Sequence, residues 1–333
     1  MAAEKTDQPD IRRIGVFTSG GDAPGMNAAV RAVVRYATHK GLHVFGINRG
    51  YQGMIEGDIE RLETSSVRNI IHRGGTVLKT ARSKDFMTPE GRQHAYESLL
   101  SYNIEGCVAI GGNGTFTGAK VFSEEFDIPF IGAPGTIDND LYGTDFTIGY
   151  DTAVNTAVEA VDRIRDTADS HDRIFFIEVM GRHSGYIALA TGIASGASAI
   201  LIPEIDTDAD KLISKLRRGV KRKKLFSLVV VAEGDETGGA MQIAERVQRE
   251  FPELETKVTV IGHLQRGGSP TARDRILASR LGYGAVRALL DGRRSEMVGI
   301  VNGSIAYTPF ADAIAKSKNL NGDLLELAEI LAR

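Results

Sequence analysis

Residues 14–39 read IGVFTSGGDAPGMNAAVRAVVRYATH. The first five, Ile14 to Thr18, form a short apolar run that reads as a buried strand. Residues 19–25 follow as a glycine-rich turn containing Gly20, Gly21 and Gly25. From Met26 to His39 the apolar residues Ala29, Val30, Val33, Val34 and Ala37 recur at helical spacing, which predicts a helix with one apolar face. A strand that feeds a glycine turn and then a helix is the opening unit of a parallel α/β layer.

The same pattern repeats along the chain. Short apolar runs at 44–47, 107–110, 128–133, 174–179, 199–202, 228–232, 258–262 and 298–301 read as strands. Segments 67–72, 90–102, 152–168, 208–221, 240–250 and 271–290 read as helices. This alternation predicts an α/β protein with largely parallel sheets flanked by helices, and ligands in such folds bind beyond the carboxyl ends of strands. A length of 333 residues at about 150 per domain suggests two domains. No Pro/Ser-rich linker separates them, so interwoven lobes are expected.

Composition narrows the function. The net charge of -3 is too close to neutral for a general nucleic-acid or anionic-membrane surface. A hydrophobic content of 42% over this length supports a large core and excludes general disorder. The single cysteine, Cys107, excludes a disulfide framework and a cysteine-based zinc site. Segment 186–203 carries no charge, but its Gly and Ser content and Pro203 split it into a small-residue helix and a short strand, not a membrane span. The polar start, Met1 to Asp10, has no apolar segment of the signal-peptide kind, and a cytoplasmic protein is expected. Gly makes up about 11% of the chain, 38 residues, against a usual ~7%. Such an excess fits backbone loops that approach phosphates.

Two glycine clusters come directly after strands: Gly20-Gly21-Asp22-Ala23-Pro24-Gly25, and Gly111-Gly112-Asn113-Gly114-Thr115 followed by Gly118. Neither is Gly-x-Gly-x-x-Gly, and the chain has no Walker A sequence. One such loop reads equally as a tight turn. Two after strands favour phosphate binding through backbone N–H groups at helix N-termini. Pro134-Gly135-Thr136-Ile137-Asp138-Asn139-Asp140 also follows a strand. If extended, it carries Asp138 and Asp140 on one side with Thr136, so that one carboxylate could hold a metal while the other accepts a proton. An Asx-turn reads the same residues equally well in isolation; the neighbouring glycine loops tip the balance to chemistry. Arg82, Arg173, Arg182 and Arg266 fall at loops or strand ends, as do Glu233 and His263. The arginines' shared location at the carboxyl ends of strands points to an anionic ligand, which arginine holds at two points. The basic run Lys221-Arg222-Lys223-Lys224 reads as complementing a helix C-terminus.

With these residues in place, the chain resembles the bacterial 6-phosphofructokinases that form tetramers, from about residue 14 to about 323. Four segments carry the resemblance: Thr18-Ser19-Gly20-Gly21-Asp22-Ala23-Pro24-Gly25-Met26-Asn27, Pro134 through Asp140, Met180-Gly181-Arg182, and Gly262-His263-Leu264-Gln265-Arg266-Gly267-Gly268-Ser269-Pro270. The resemblance implies two lobes: residues 1–149 with 264–315 binding nucleotide, and 150–263 with 316–333 binding sugar phosphate. It implies phosphoryl transfer from ATP, with Mg²⁺, to the 1-hydroxyl of fructose 6-phosphate. It makes Asp138 the base, Thr136 a contact to the transferring group, Arg82 the stabiliser of its charge, and Asp140 a metal-site carboxylate beside Asp138. Gly21, Tyr51, Gly112, Asn113, Gly114, Thr115 and Gly118 would line the nucleotide site. Met180, Gly181, Arg182, Glu233, His263 and Arg266 would hold the sugar phosphate, and Arg173 and Lys257 would reach it from a neighbouring subunit of a homotetramer. Arg31, Arg35, Arg165, Lys223 and Lys224 fit the family's effector pocket. No nucleic-acid or membrane partner is implied.

The chain departs from the family at several positions. Asn113 stands where the family has a metal-holding Asp, so a neutral carbonyl oxygen replaces a carboxylate. Lys257 stands where Arg is usual and lacks its planar fork. Thr64 and Ser198 replace an arginine and an acidic residue of the best-known effector site, so strong allosteric control is not expected. Pyrophosphate-using relatives carry an acidic residue at the position of Gly114 and a lysine at that of Gly135. Glycine at both is expected to leave space for the α-phosphate and to favour ATP. A pyrophosphate-dependent enzyme, and a weakly catalytic regulatory subunit permitted by Asn113, are the alternatives.

Overall fold

The computed structural model describes residues 11–168, 173–206, 209–221, 227–234, 238–252 and 255–332. The chain divides into two compact units. One runs up to Thr136 and takes in Leu141–Gly149 and Arg266–Lys318; the other comprises Ile137–Asp140, Tyr150–Gln265 and the chain from Asn319 on. Ile137–Asp140 thus groups with the second unit, whereas the division expected from sequence kept it in the first.

The first unit begins with β1 (Arg13–Thr18), α1 (Met26–His39), β2 (His43–Ile47), α2 (Gly50–Glu56), β3 (Ile59–Leu62), α3 (Pro89–Ser101), β4 (Gly106–Gly111), α4 (Asn113–Phe126) and β5 (Phe130–Pro134). The second unit holds α5 (Tyr150–Ala168), β6 (Arg173–Val179), α6 (Tyr186–Ala194), β7 (Ala199–Leu201), α7 (Ala209–Lys221), β8 (Ser227–Ala232), α8 (Ala240–Glu250) and β9 (Glu255–Val260). The chain then returns to the first unit with α9 (Ala272–Leu290), β10 (Glu296–Val301), β11 (Ser304–Pro309) and α10 (Phe310–Ala315). It ends in the second with α11 (Gly322–Leu331).

The first sheet has the order β11-β10-β5-β4-β1-β2-β3, and the second β7-β8-β6-β9. All pairs of the second sheet are parallel. In the first, only the outer pairs β2–β3 and β10–β11 are antiparallel. Each sheet has its own core. Phe17, Phe116, Phe122, Phe130 and Phe310 fill the first; Phe176, Val229, Val231 and Val247 anchor the second. Truncating one such phenylalanine to Ala costs about 3–5 kcal/mol. The crossing of α1 and α9 is close enough that a Cβ on Gly282 would lie 2.6 Å from the Ala29 carbonyl oxygen.

Several sequence expectations need correction. Segment 67–72 forms turns, not a helix, because Asn69 adopts a left-handed φ of 58° and breaks the run. The strand expected at 258–262 runs over Glu255–Val260, and Gly262, at φ 55°, starts a short 3-10 helix, Gly262–Arg266, that carries His263. Val301 does not end the sheet. Asn302 and Gly303, both at positive φ, turn the chain back into β11 as a primed hairpin turn requires. The uncharged segment 186–203 splits into α6 and β7, packed so tightly that a Cβ on Gly192 would lie 2.4 Å from Ile200. No helix of the described residues is long and apolar enough to cross a membrane.

Cys107 is fully buried on β4, and a Cβ on Gly15 would come within 2.9 Å of its sulfur. Burial pushes the thiol from 9.0 up to about 12. The unfolded thiol ionises first, so above its ordinary value the unfolded chain releases a proton the folded chain keeps, and stability falls as pH rises between the two values. We expect a thiol reagent to leave the native protein unlabelled at pH near 8 and to label one thiol after unfolding. Labelling of the native protein would contradict this burial.

Candidate active site

In the first unit, β1 delivers its carboxyl end to the first glycine turn. Ser19 N–H donates to the Ile110 carbonyl at 3.0 Å, joining this turn to the end of β4. Gly25, at φ 111° before α1, occupies a conformation that side chains disfavour. Arg266 lies over the turn: Nη1 donates to the Asp22 carbonyl at 3.1 Å, and a Cβ on Gly21 would sit 2.6 Å from that nitrogen. Glycine at 21 therefore lets a guanidinium approach the backbone, and the structure brings Gly21 and Arg266 together.

The second glycine turn runs from the end of β4 into α4. Gly112 caps the helix, and Asn113, Gly114 and Thr115 form its first turn. Thr115 Oγ1 is buried with no hydrogen-bond partner among the described residues, and it faces the Gly20 and Gly111 backbone. An orphaned hydroxyl between two such turns suits an anionic oxygen. A Cβ on Gly114 would meet nothing within 4 Å, as the sequence argument requires. One on Gly135 would crowd Met26 Cε at 3.0 Å and Ile110 Cγ2 at 3.1 Å. Gly135 is thus a packing position, which corrects the expectation that both glycines leave open space.

Tyr51 is 6% exposed and stacks on Phe86 with ring centroids 4.0 Å apart. Its hydroxyl donates to the Thr115 carbonyl at 2.5 Å, and burial raises its pKa well above 10.0. A Cβ on Gly118 would touch its ring at 3.0 Å. Tyr51 and Gly118 together seat the first turns of α4, so they support the loop from beneath.

Arg82 is exposed and forms no ion pair with the described residues. The loop leading to it is held by two buried polar side chains. Thr18 bonds Thr76 Oγ1 at 2.8 Å and donates to the Lys79 carbonyl at 2.9 Å. Asn27 donates to the carbonyls of Arg73 and Gly74 at 3.0 and 3.3 Å and accepts from Val77 N–H at 2.7 Å. Asn27, 1% exposed on α1, is a positioning residue that sequence reasoning quoted but did not interpret. We expect Asn27→Ala to cost about 1–3 kcal/mol of stability. The same loss should loosen the loop that carries Arg82. Unchanged stability of the variant would show that these bonds do not anchor the loop.

The acidic segment begins on the first unit. Thr136 is half-buried, and its carbonyl accepts from Thr147 Oγ1 at 2.6 Å. Asn139 has φ 54°, so 137–140 is bent and the strand-like alternation expected for Asp138 and Asp140 does not hold. Asp138 is 4% exposed and Asp140 half-buried. Within the second unit, Ser184 Oγ donates to the Asp138 carbonyl at 3.0 Å and fixes this bend.

At the carboxyl end of β6, Met180 N–H donates to Gln265 Oε1 at 2.8 Å, while Gly181 and Arg182 N–H groups donate to Glu233 Oε1 at 3.4 and 2.8 Å. Arg182 has φ 53°, and a Cβ on Gly234 would lie 1.6 Å from its carbonyl oxygen. Met180, Gly181, Arg182 and Glu233 therefore form one assembly, with the Arg182 side chain and His263 exposed. Gln265, fully buried, also donates to the Ala153 carbonyl at 3.3 Å and locks this assembly to α5. It is a second positioning residue not singled out from sequence.

Arg173 starts β6, so it does not share the carboxyl-end location expected of the arginines; nor does Arg82, which follows no strand directly. At about 3.3 Å per residue, Arg173 and Met180 are on the order of 20 Å apart. Arg173 Nε pairs with Glu255 at 2.5 Å, and Lys257 pairs with the same carboxylate. The Lys257 and Arg173 cations hold Glu255 below its usual range. Of the effector candidates, Arg31 and Arg35 lie one turn apart on α1, and burial, then Arg35, lowers the Arg31 pKa. Arg165, on α5, donates to the Ser195 carbonyl. Lys223 and Lys224 lie outside the described residues. Thr64 is exposed and Ser198 buried.

Among the described residues no three His, Cys, Asp or Glu side chains gather as a metal cage. Magnesium needs only one or two protein carboxylates when substrate phosphates supply the other oxygens. In the second unit the carboxylates of Asp138 and Asp140 are oxygen donors of that kind, and in the first Asn113 offers an amide oxygen.

Residues 13–289 match the family model described as Phosphofructokinase. The chain is 55% identical to ATP-dependent 6-phosphofructokinase 2 of Bacteroides thetaiotaomicron over 322 residues, covering 97% of this chain and 99% of the relative. It is 58% identical over 322 residues to ATP-dependent 6-phosphofructokinase 1 of Thermus thermophilus, covering 97% of this chain and 100% of the relative. Among solved structures, phosphofructokinase from Saccharomyces cerevisiae superposes with a TM-score of 0.87 at 37% identity, over 96% of this chain and 48% of the yeast chain.

Proposed function

The chain belongs to the phosphofructokinase family, and from that premise we propose that it transfers the terminal phosphoryl group of ATP to the 1-hydroxyl of fructose 6-phosphate, giving fructose 1,6-bisphosphate and ADP. The observation that carries this reading is the identity across nearly the full length of relatives named for that activity.

The chemistry follows from the residues. Backbone N–H groups of Gly21, Gly112 and Gly114 take phosphate oxygens at the start of α4, and the open position at Gly114 admits the nucleotide. Met180, Gly181, Arg182, Glu233, His263 and Arg266 hold the sugar phosphate. Asp138 accepts the proton of the 1-hydroxyl as its oxygen attacks the γ-phosphorus. The bond to the bridging oxygen breaks, and its electron pair leaves with ADP. Thr136 contacts the transferring group, and Arg82 stabilises its charge. Asn113, Asp138 and Asp140 are the residues that would hold Mg²⁺, which would supply positive charge to the nucleotide's phosphates. Asn113 supplies no charge, so turnover is lower than with a carboxylate there.

Arg173 and Lys257, displaced along β6 and β9 from the carboxyl end, serve the sugar phosphate of a neighbouring subunit in a homotetramer. Support for self-association comes from Val260 and Leu264, which are 58% and 71% exposed. Arg31, Arg35 and Arg165 are effector-site residues in this reading, and the enzyme works in the cytoplasm. The test is stoichiometry: purified protein with Mg²⁺ forms one ADP per fructose 1,6-bisphosphate and hydrolyses little ATP without the sugar. ADP release that ignores the sugar would overturn the assignment.

A further inference from the structure

We propose that Asn113 is a self-modifying position, whose side-chain amide is converted with time to a carboxylate inside the glycine turn that opens α4. The claim that this alters catalysis rests on the function proposed above; the modification itself does not.

The residues supply the chemistry. Gly114 follows Asn113, and without a Cβ it leaves its own backbone nitrogen unshielded. Gly114 is exposed, and the position a Cβ would occupy has no atom within 4 Å. Because α4 begins at Asn113, the Gly114 N–H belongs to the first helical turn, where no intrahelical carbonyl is available. It has no hydrogen-bond acceptor among the described residues, whereas the next two amides, of Thr115 and Phe116, both bond the Gly112 carbonyl. In a helix interior that nitrogen would be engaged; here it is available.

The Gly114 nitrogen gives up its proton to solvent base and attacks the side-chain carbonyl carbon of Asn113. A carbon–nitrogen bond forms, the side-chain amide bond breaks, and ammonia leaves, closing a cyclic imide. Water then opens the imide. Cleavage at the side-chain carbonyl restores the backbone with Asp at 113; cleavage at the main-chain carbonyl gives isoaspartate and one extra backbone methylene. The net change is amide plus water to carboxylic acid plus ammonia, with no oxidant or reductant. The aspartate product places a negative charge at the N-terminus of α4, whose first turn holds no acidic residue. Helix dipole and first-turn N–H groups both favour it there. It also converts a neutral metal donor into a charged one. The isoaspartate product lengthens the phosphate loop and is expected to be inactive.

The chain has two other Asn-Gly pairs that serve as comparators. Asn302-Gly303 forms the β10–β11 turn, and the Asn321 side chain caps α11 by accepting from Asp323 N–H at 2.9 Å. The experiment is peptide-resolved mass spectrometry of the whole native protein during incubation at 37 °C and mildly alkaline pH, with and without Mg-ATP. A gain of about 1 Da in the Asn113 peptide is expected. It should grow with pH and be slowed several-fold by Mg-ATP, which should leave the other two pairs unaffected. No gain at Asn113, under conditions where the same peptide converts in unfolded protein, overturns the proposal. Conversion that Mg-ATP leaves unchanged would uphold the modification and overturn the placement of Asn113 at the nucleotide site proposed above. Asn113→Asp measures the catalytic consequence separately: a rise in turnover of about tenfold is expected. Conversion at Asn113 without that rise would leave the modification standing and remove the catalytic role given to the residue.

Discussion

Asp138→Asn is expected to lower kcat by about 10²–10⁴ while KM for the sugar phosphate changes less than threefold. The substitution is nearly isosteric, and the Asp138 peptide carbonyl that accepts from Ser184 remains in place. What is lost is a carboxylate able to take a proton as the sugar oxygen attacks. A neutral sugar hydroxyl is a weak nucleophile, so the deficit falls on the chemical step, not on binding. The left-handed Asn139 and the Ser184 bond hold the bend on which Asp138, 4% exposed, sits. A kcat within fivefold of the natural chain would remove Asp138 from the role of base.

Arg82→Ala is expected to lower kcat by about 10²–10³, again with little change in sugar-phosphate KM. Arg82 is exposed and has no acidic partner among the described residues, so its charge is free to act on a phosphoryl group. Arg82→Lys should recover only part of the loss, because lysine keeps the charge without the fork. Loosening the same loop through Asn27→Ala should give a smaller deficit of the same kind. If Arg82→Ala raised KM alone, the arginine would be a binding group and the loop's rigidity irrelevant to rate.

The sequence made α1, the glycine turns and the parallel strands legible because each obeys one local rule: helical spacing of apolar residues, or a buried run followed by glycine. Where two rules compete, reading fails. The segment from Gly111 to Gly118 reads as a turn because Gly114 and Gly118 depress helix propensity, yet α4 starts at Asn113, with Tyr51 packed where a Gly118 side chain would be. Asp138 and Asp140 are placed by a single left-handed residue that no periodicity reports. Arg173 was grouped with the carboxyl-end arginines although the strand read at 174–179 already places it at the amino end, where β6 starts. Asn27 and Gln265 act by hydrogen bonds to distant backbone, information that exists only once the chain is folded. The Asn302-Gly303 turn carried a hairpin signal that the sequence reading left unused, so β11 was missed.

The central claim is ATP-dependent phosphorylation of fructose 6-phosphate, and product identification tests it most directly. Purified protein with Mg²⁺ and fructose 6-phosphate is given ATP or pyrophosphate at equal concentration, and the sugar product is identified by mass. Fructose 1,6-bisphosphate from ATP and none from pyrophosphate is the predicted result. Product from pyrophosphate, or from neither donor, would contradict the account.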